Sequence, residues 1–207
     1  VKGVEKTSLL AWTTTPWTLP GNLAAAINRE FDYVKVSVAT DGITENLIIA
    51  KGRLAQLGDA AYEVVAEMKG EALIGRRYQP PFPFMAGQSF DQTNAWKIWH
   101  ADYVELGEEG TGAVHIAPSY GEDDMQLAKT NGVPIVHHVD ESGRFKDWVT
   151  GFNCALVKPK DDDTAGVDRI AEPNRVRIAG VRSLNTRAGA NAGGVGDRPQ
   201  GRDKRVG

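Results

Sequence analysis

Short runs rich in β-branched and aromatic residues, separated by turn signals, fill the first 140 residues of the chain. Between Tyr33 and Val38 apolar and polar side chains alternate, which is the period of a half-buried strand. Asp41-Gly42 follows soon after and predicts a hairpin turn into the next run. Strands are predicted over residues 8–14, 33–40, 46–50, 62–68, 95–103, 112–117 and 134–139.

Helical patterns are fewer and shorter, and they are predicted over residues 23–29, 52–57 and 122–130. The last of these begins with three acids, Glu122, Asp123 and Asp124, and is followed by Asn131-Gly132. Acids in a first turn complement the helix dipole, and glycine after the last turn supplies a C-cap. Many short strands with occasional helices predict an α+β fold with a β-barrel-like core and a few peripheral helices.

Length and composition fit one folded domain with an appendage, at 207 residues and 41% apolar residues. No segment approaches the ~20 apolar residues that a membrane span needs, and no signal peptide is visible, so we expect no membrane association. The lone Cys154 excludes an intramolecular disulfide and agrees with a reducing, cytoplasmic location. Because the sequence starts at Val1, we expect it to be a piece of a larger protein. We also expect the protein to be monomeric.

The last part of the chain, residues 164–207, differs from the rest in composition. It carries nine Lys and Arg against four acids, a net charge of +5, whereas residues 1–163 carry −8. It lacks Trp, Tyr and Phe and cannot bury enough apolar surface to offset its ordering entropy. We expect a domain over 1–163 and a low-complexity basic tail over 164–207, disordered or non-native, with an RNA-binding arm as the alternative. The acidic body is a poor autonomous binder of nucleic acid.

Three consecutive hydroxyl side chains, Thr13, Thr14 and Thr15, follow the apolar run that ends at Trp12. Pro16 biases the residue before it to an extended conformation and cannot continue a central ladder, so the strand should end here. The hydroxyls are then expected at the mouth of a strand, where a substrate could reach them. The alternative is structural, because threonine is a good strand former.

A second constellation spans 110–124 and is predicted to form a strand, a loop and the start of a helix. His115 projects from the strand and Asp124 lies in the first helical turn, which brings an imidazole and a carboxylate toward one strand end. Gly110 and Gly112 permit close backbone approach. A buried structural histidine and an acid that only complements the helix dipole remain the alternatives for these two residues.

Other catalytic chemistries find little support. His137 and His138 are neighbours on a predicted strand and face opposite sides, and no third ligand is suitably spaced, so no metal or other cofactor is expected. There is no Gly-x-Ser-x-Gly elbow, no activating partner for Cys154 and no phosphate-binding Gly-x-x-x-x-Gly-Lys string. The remaining pattern, hydroxyls with one carboxylate, suits recognition of an amine and positioning of a water.

Together the strings Trp12–Asn22 and Gly110–Asp124 resemble the editing domain (connective peptide 1) of isoleucyl-tRNA synthetases. Further matching stretches lie at 33–34, 70–75, 78–82, 101–104, 132–134, 139–140 and 157–163, so the resemblance covers the chain to about Asp163. The valyl and leucyl families typically have Thr-Thr-Arg-Pro after the strand, and Lys or Met where this chain has His115. Neither His-Ile-Gly-His nor Lys-Met-Ser-Lys-Ser occurs, so no synthetic site is expected in this chain.

The resemblance implies hydrolysis of valine wrongly esterified to tRNA(Ile), and of valyl-adenylate as a second substrate. It implies that Asp124 holds the substrate α-ammonium, and that the three threonines bind the terminal adenosine and ester region and orient the water. His115 and Thr18 are implied to wall the side-chain pocket against isoleucine, with Trp17 and Asn22 shaping the loop.

Three alternatives remain open at this point. They are a non-catalytic module that binds the aminoacylated 3′ end of tRNA, the editing domain of a related valyl or leucyl enzyme, and a free-standing editing factor. The implied partners are the 3′ aminoacyl end of tRNA(Ile) and the rest of the parent synthetase.

Overall fold

The computed structural model describes residues 7–40, 43–107, 110–152, 155–157 and 175–178. Its architecture is α+β: one mixed sheet of eight strands curls into an open half-barrel with few helices around it, which confirms the predicted barrel-like core. The strands are β1 (Thr7–Trp12), β2 (Ala24–Ile27), β3 (Asp32–Thr40), β4 (Ile43–Ala50), β5 (Tyr62–Lys69), β6 (Lys97–His100), β7 (Ala113–Ile116) and β8 (Arg175–Ile178).

The strand order is β5-β3-β4-β1-β7-β2-β6, with β8 paired to β1 off this path. Strands β3 and β4 form the predicted hairpin, in antiparallel register from Tyr33 opposite Ala50 to Thr40 opposite Ile43. Strand β1 is central and runs parallel to both β4 and β7. Because Trp12, the last residue of β1, lies opposite Val114 in β7, the end of β1 lies beside β7.

Two apolar layers cover the two faces of the curled sheet. The larger packs β1, β2, β6 and β7 against Leu127 and Ala128 of the helix α1 (Glu122–Asn131). The smaller lies under the 3₁₀ helix Lys51–Leu57 and contains side chains of β1, β3 and β4 such as Leu10, Val36 and Ile49. Strand β1 therefore alternates its side chains between two cores, which fixes its position.

Helix α1 agrees with the prediction in position and in its ends. Its C-cap, Gly132, is in the left-handed region with φ 63°, and its backbone N–H donates to the carbonyl of Ala128. The region 52–57 is a 3₁₀ helix, interrupted by non-helical angles at Arg53. Further 3₁₀ turns occur at Pro16–Gly21, Gly70–Leu73 and Met85–Gly87.

The predicted helix over 23–29 was wrong, because Ala24–Ile27 form strand β2. All four residues have 0% exposure and are hydrogen-bonded between β6 and β7. A short apolar run buried on both faces cannot be told from a helix by its period, and the tertiary context overrides the helix preference of alanine.

Two other strand predictions need correction. Of the predicted strand over 95–103, only Lys97–His100 is a strand. The stretch 134–139 is not one of the sheet strands, and Val139 makes only an isolated bridge to Phe145. Here the hydroxyl of Tyr120 accepts the backbone N–H groups of His138 and Val139, at 2.9 and 3.0 Å, in place of a neighbouring strand.

Within residues 164–207 the structure describes only β8, which pairs antiparallel with β1 from Leu9 opposite Ile178 to Trp12 opposite Arg175. These four residues are ordered against the centre of the sheet. The domain boundary at 163, the rest of the expected tail and Cys154 lie outside the described residues, so those expectations remain predictions. Among the described residues, the model contains no helix long and apolar enough to span a bilayer.

Candidate functional site: a threonine-lined cavity

A cavity of about 290 Å³ lies where β1 ends beside β7 and the start of α1. We call it the threonine cavity. It brings together six of the eight residues selected from the sequence, Thr13, Thr14, Thr15, Thr18, His115 and Asp124, and its other lining residues are Trp12, Val114, Tyr120 and Gly121.

The three consecutive threonines differ in how they are held. Thr13 is buried, and its Oγ1 accepts the backbone N–H of Thr15 at 3.1 Å. Thr14 is exposed and lines the cavity with its hydroxyl side chain. Thr15 caps the 3₁₀ turn Pro16–Gly21, and its Oγ1 lies 3.2 Å from Oγ1 of Thr18. The strand therefore ends before the proline, as the sequence predicted.

Thr18 connects the turn to β7. Its hydroxyl donates to the carbonyl of Thr15 at 2.8 Å and lies 3.1 Å from Nε2 of His115. A hydroxyl has one proton, so toward His115 it acts as the acceptor and Nε2 of the imidazole carries the hydrogen. Thr18 and His115, 97 residues apart in sequence, thus form one buried wall of the cavity.

His115 is neutral in this environment. Burial lowers its pKa to about 4 from 6.5, and the neighbouring imidazole of His138 contributes in the same direction. With the hydrogen on Nε2, the Nδ1 lone pair is an acceptor, and Nδ1 is buried without a hydrogen-bond partner among the described residues. A neutral imidazole of such low basicity is a poor general base near pH 7 and a good polar wall.

Asp124 presents a half-buried carboxylate to the cavity from the first turn of α1. Its Oδ2 accepts the backbone N–H of Ala117 at 2.8 Å, which ties the helix start to the end of β7. Burial raises its pKa above 3.8, against the lowering effect of that hydrogen bond. Among the described residues it forms no ion pair, so the cavity holds a fixed carboxylate ready for a cation.

The two glycines expected to permit close approach are not equivalent. Gly112 has φ 80° immediately before β7, and a Cβ there would collide with Ala50. Gly110 meets only the carbonyl of Glu105, at 3.8 Å, so a side chain would fit there. Only Gly112 is therefore required to bring β7, and His115 with it, against its neighbour.

Trp17 and Asn22 are not among the residues that line the threonine cavity, and their expected part in binding the substrate remains a prediction. Asn22 is buried with its amide engaged: Nδ2 donates to the carbonyl of Ala24 at 2.9 Å, and Oδ1 accepts the Tyr78 hydroxyl at 2.7 Å. These bonds fix the end of the 3₁₀ turn to β2. The role of Asn22 in shaping the loop remains a prediction.

Four lining residues were not selected from the sequence: Trp12, Val114, Tyr120 and Gly121. Tyr120 and Gly121 lie inside the string Gly110–Asp124, so their position between His115 and Asp124 was the available signal. Val114 precedes His115 in a strand, and strict alternation would place the two on opposite faces. Within the described ranges, no group of three His, Cys, Asp or Glu side chains is arranged to hold a metal ion.

Comparison with known proteins finds close relatives by sequence. The chain is 44% identical over 161 residues to the isoleucine–tRNA ligase of Clostridium tetani, and 46% identical over 161 residues to that of Clostridium acetobutylicum. Each match covers 78% of this chain and 15% of the relative. The chain thus spans about 15% of the length of these curated relatives. No family model matches.

A third relative is the probable cytoplasmic isoleucine–tRNA ligase of Dictyostelium discoideum, 38% identical over 192 residues that cover 87% of this chain and 17% of the relative. An alignment that covers 87% of this chain is longer than residues 1–163, so it includes part of residues 164–207.

Among solved structures, the editing domains of cytosolic leucyl-tRNA synthetases from P. falciparum and P. knowlesi are similar at TM-score 0.46. Their sequences are 17% and 18% identical to this chain. The aligned parts cover 58% and 62% of this chain and 44% and 52% of theirs. Likeness at this level adds nothing to the sequence relationship.

Proposed function

We propose a function from the premise that this chain belongs, as a segment, to the isoleucine–tRNA ligase (isoleucyl-tRNA synthetase) family. Within such an enzyme the segment hydrolyses the ester of valine wrongly attached to tRNA(Ile), and it accepts valyl-adenylate as a second substrate. One observation carries the proposal: the threonine cavity joins a fixed carboxylate, which forms no ion pair with any described residue, to a cluster of hydroxyls at the end of one strand.

The carboxylate of Asp124 suits the α-ammonium group that every aminoacyl ester carries. A charge-assisted hydrogen bond between them is stronger than one between neutral groups, and it also fixes the direction of the ester. The ammonium would supply the cation that Asp124 lacks among the described residues.

The wall of Thr18 and His115 suits a size limit. One methylene is worth only ~1–3 kcal/mol to a binding pocket, and isoleucine against valine is a standard example of that limit. A second site that admits valine and excludes isoleucine solves the problem by sterics. Because the wall is hydrogen-bonded and buried, it cannot easily give way to the larger side chain.

The water is placed without a strong general base from the protein. His115, with a pKa of about 4, is a weak base, and Asp124 is occupied by the ammonium. The hydroxyls of Thr13, Thr14 and Thr15, backbone groups and the substrate's own ribose hydroxyl position the attacking water. A pH–rate profile with a sharp inflection that disappears in His115→Ala would contradict this mechanism.

The first experiment measures deacylation of valyl-tRNA(Ile) beside isoleucyl-tRNA(Ile) by the purified 207-residue chain at high enzyme concentration. Selective release of valine is expected. Loss of neither amino acid, together with tight binding of a non-hydrolysable valyl-adenosine analogue, would instead establish a non-catalytic module for the aminoacyl end. Preferential hydrolysis of a noncognate ester on tRNA(Val) or tRNA(Leu) would assign the segment to a related enzyme.

In the whole enzyme we expect the remaining parts to deliver the tRNA, since residues 1–163 carry a net charge of −8 and have little attraction for phosphates. A cytoplasmic location and a monomeric state belong to the same proposal. The Dictyostelium relative is the one of the three that is described as cytoplasmic.

A further inference from the structure

We propose that a second cavity, lined by Asp140, Arg144, Phe145, Lys146, Asp147 and Trp148, receives the nucleotide that precedes the terminal adenosine of the tRNA. We call it the 140–148 cavity, and its volume is about 330 Å³. The inference rests on the proposed function, because it extends the RNA strand outward from the threonine cavity by one nucleotide.

The two cavities are separated by a partition of three aromatic rings in contact, those of Tyr120, His138 and Phe145. Tyr120 lines the threonine cavity, and its ring meets that of His138 edge-on at a centroid distance of 4.6 Å. On its other side His138 stacks on Phe145 at 5.8 Å, and Phe145 lines the 140–148 cavity. An RNA strand with its last nucleotide in the first cavity can therefore place the preceding one in the second.

The 140–148 cavity offers the two groups that hold a single-stranded nucleotide. Trp148 is a half-buried indole on which a base can stack, and Lys146 supplies a positive charge for the linking phosphate. The ammonium of Lys146 is close enough to His138 to lower the pKa of that imidazole, so the charge lies near the partition. Within the described ranges this ammonium makes no ion pair.

The two acids of the lining, Asp140 and Asp147, limit the anionic charge that the cavity can bind. Asp140 is held by its own loop: its Oδ1 accepts the backbone N–H groups of Ser142 and Arg144, both at 2.9 Å, and the Ser142 hydroxyl at 2.7 Å. With Asp147 it balances the two cations of the lining. The lining is therefore neutral overall and gives no general attraction for a polyanion. A single phosphodiester is placed by the local charge of Lys146, and we assign the cavity one nucleotide.

The test compares two small substrates that need no tRNA body: valine esterified to adenosine, and valine esterified to the dinucleotide cytidylyl-adenosine. With the 207-residue chain, we expect a lower KM for the dinucleotide ester. Lys146→Gln and Trp148→Leu should each raise that KM by about tenfold with kcat unchanged, because stacking and phosphate contacts act in binding. Neither change should alter the KM for valyl-adenosine.

Lys129→Gln is the matched control, since Lys129 is an exposed lysine in the last turn of α1, and it should leave both KM values unchanged. The dinucleotide KM should also rise with salt in the parent chain and lose part of that dependence in Lys146→Gln. Equal effects on both substrates, or none on either, would overturn the nucleotide subsite while leaving the hydrolytic function standing. Failure of the unaltered chain to hydrolyse either ester would instead reject the proposed function.

Discussion

The carboxylate of Asp124 carries a cost to the fold that its proposed role explains. Its pKa is raised by burial, so the ionised form is less favourable in the folded protein than in the unfolded chain. That penalty is present above its folded pKa and disappears as the pH falls below 3.8, where the group is protonated in both states. A residue kept at such cost is a functional-site candidate.

We predict that Asp124→Asn lowers kcat/KM for valyl ester hydrolysis by about 100-fold, because the ammonium loses a charged partner. The same change should raise the thermal unfolding midpoint near neutral pH, since the asparagine oxygen can still accept the N–H of Ala117. The exposed neighbour offers the control for activity: Asp123→Asn should leave kcat/KM unchanged. Normal turnover in Asp124→Asn would remove this residue from the site.

We attribute the selectivity for valine to the hydrogen-bonded wall of Thr18 and His115. We predict that His115→Ala lets isoleucyl-tRNA(Ile) be hydrolysed and reduces the valine-to-isoleucine ratio of kcat/KM by at least about tenfold. Thr18→Val keeps the volume of the wall and removes only the hydrogen bonds of the hydroxyl to His115 and Thr15, so the ratio should fall less. If isoleucine stays fully protected in His115→Ala, the imidazole is not the size limit.

The 3₁₀ turn Pro16–Gly21 packs against His138, which is more than a hundred residues away in sequence. Gly21 lies so close to His138 that a Cβ would overlap Cε1 and Nδ1 of the imidazole. The ring cannot move aside, because Tyr120 and Phe145 flank it. The turn that carries Thr18 is therefore positioned by a buried histidine, and glycine is required at its end for space.

We predict that Gly21→Ala destabilises the domain by about 1–3 kcal/mol through overpacking and weakens selectivity by displacing Thr18. In the double variant Gly21→Ala/His138→Ala, the added methyl should be tolerated, so the two free-energy changes should be strongly non-additive in denaturant unfolding. Gly87→Ala is the control, because Gly87 has open space at the Cβ position and no positive φ. Simple additivity would show that the contact with His138 is unimportant.

Two buried imidazoles make the stability of the domain depend on pH. Burial lowers the pKa of both His115 and His138 to about 4 from 6.5. For His138, the nearby Trp17 carbonyl opposes this effect, and His137 and Lys146 add to it. Below pH 6.5 these two histidines are protonated in the unfolded chain but stay neutral in the folded protein until the pH reaches about 4. The free energy of unfolding therefore falls between pH 6.5 and about pH 4 and then levels off.

We predict that the free energy of unfolding drops over this range by roughly 3 kcal/mol for one such histidine. His138→Asn should flatten the dependence, whereas His137→Asn, at the exposed neighbouring position, should leave most of it in place, because burial is the larger cause of the low pKa of His138. Urea unfolding at several pH values measures both slopes. Identical curves for the unaltered chain and His138→Asn would show that this imidazole is accessible to protons in the folded state.

Local signals in the sequence were sufficient for the hairpin of β3 and β4, for α1 with its glycine cap, and for the strand end at the threonines. Each depends on chemistry within a few residues, such as the missing N–H of Pro16 or the alternation after Tyr33. The sequence analysis also selected six of the ten cavity residues, since all ten lie in the two strings Trp12–Asn22 and Gly110–Asp124.

Features that depend on distant neighbours could be decided only by the tertiary structure. Ala24–Ile27 became a strand because β6 and β7 lie on either side, and 134–139 did not because Tyr120 takes two of its backbone N–H groups. The partition between the two cavities exists because the chain folds so that the ring of His138 packs between those of Tyr120 and Phe145. The sequence by itself determined which functional groups the protein has and where its local elements begin and end. Their burial, protonation and spacing were decided by packing, because desolvation and close contact depend on the whole fold.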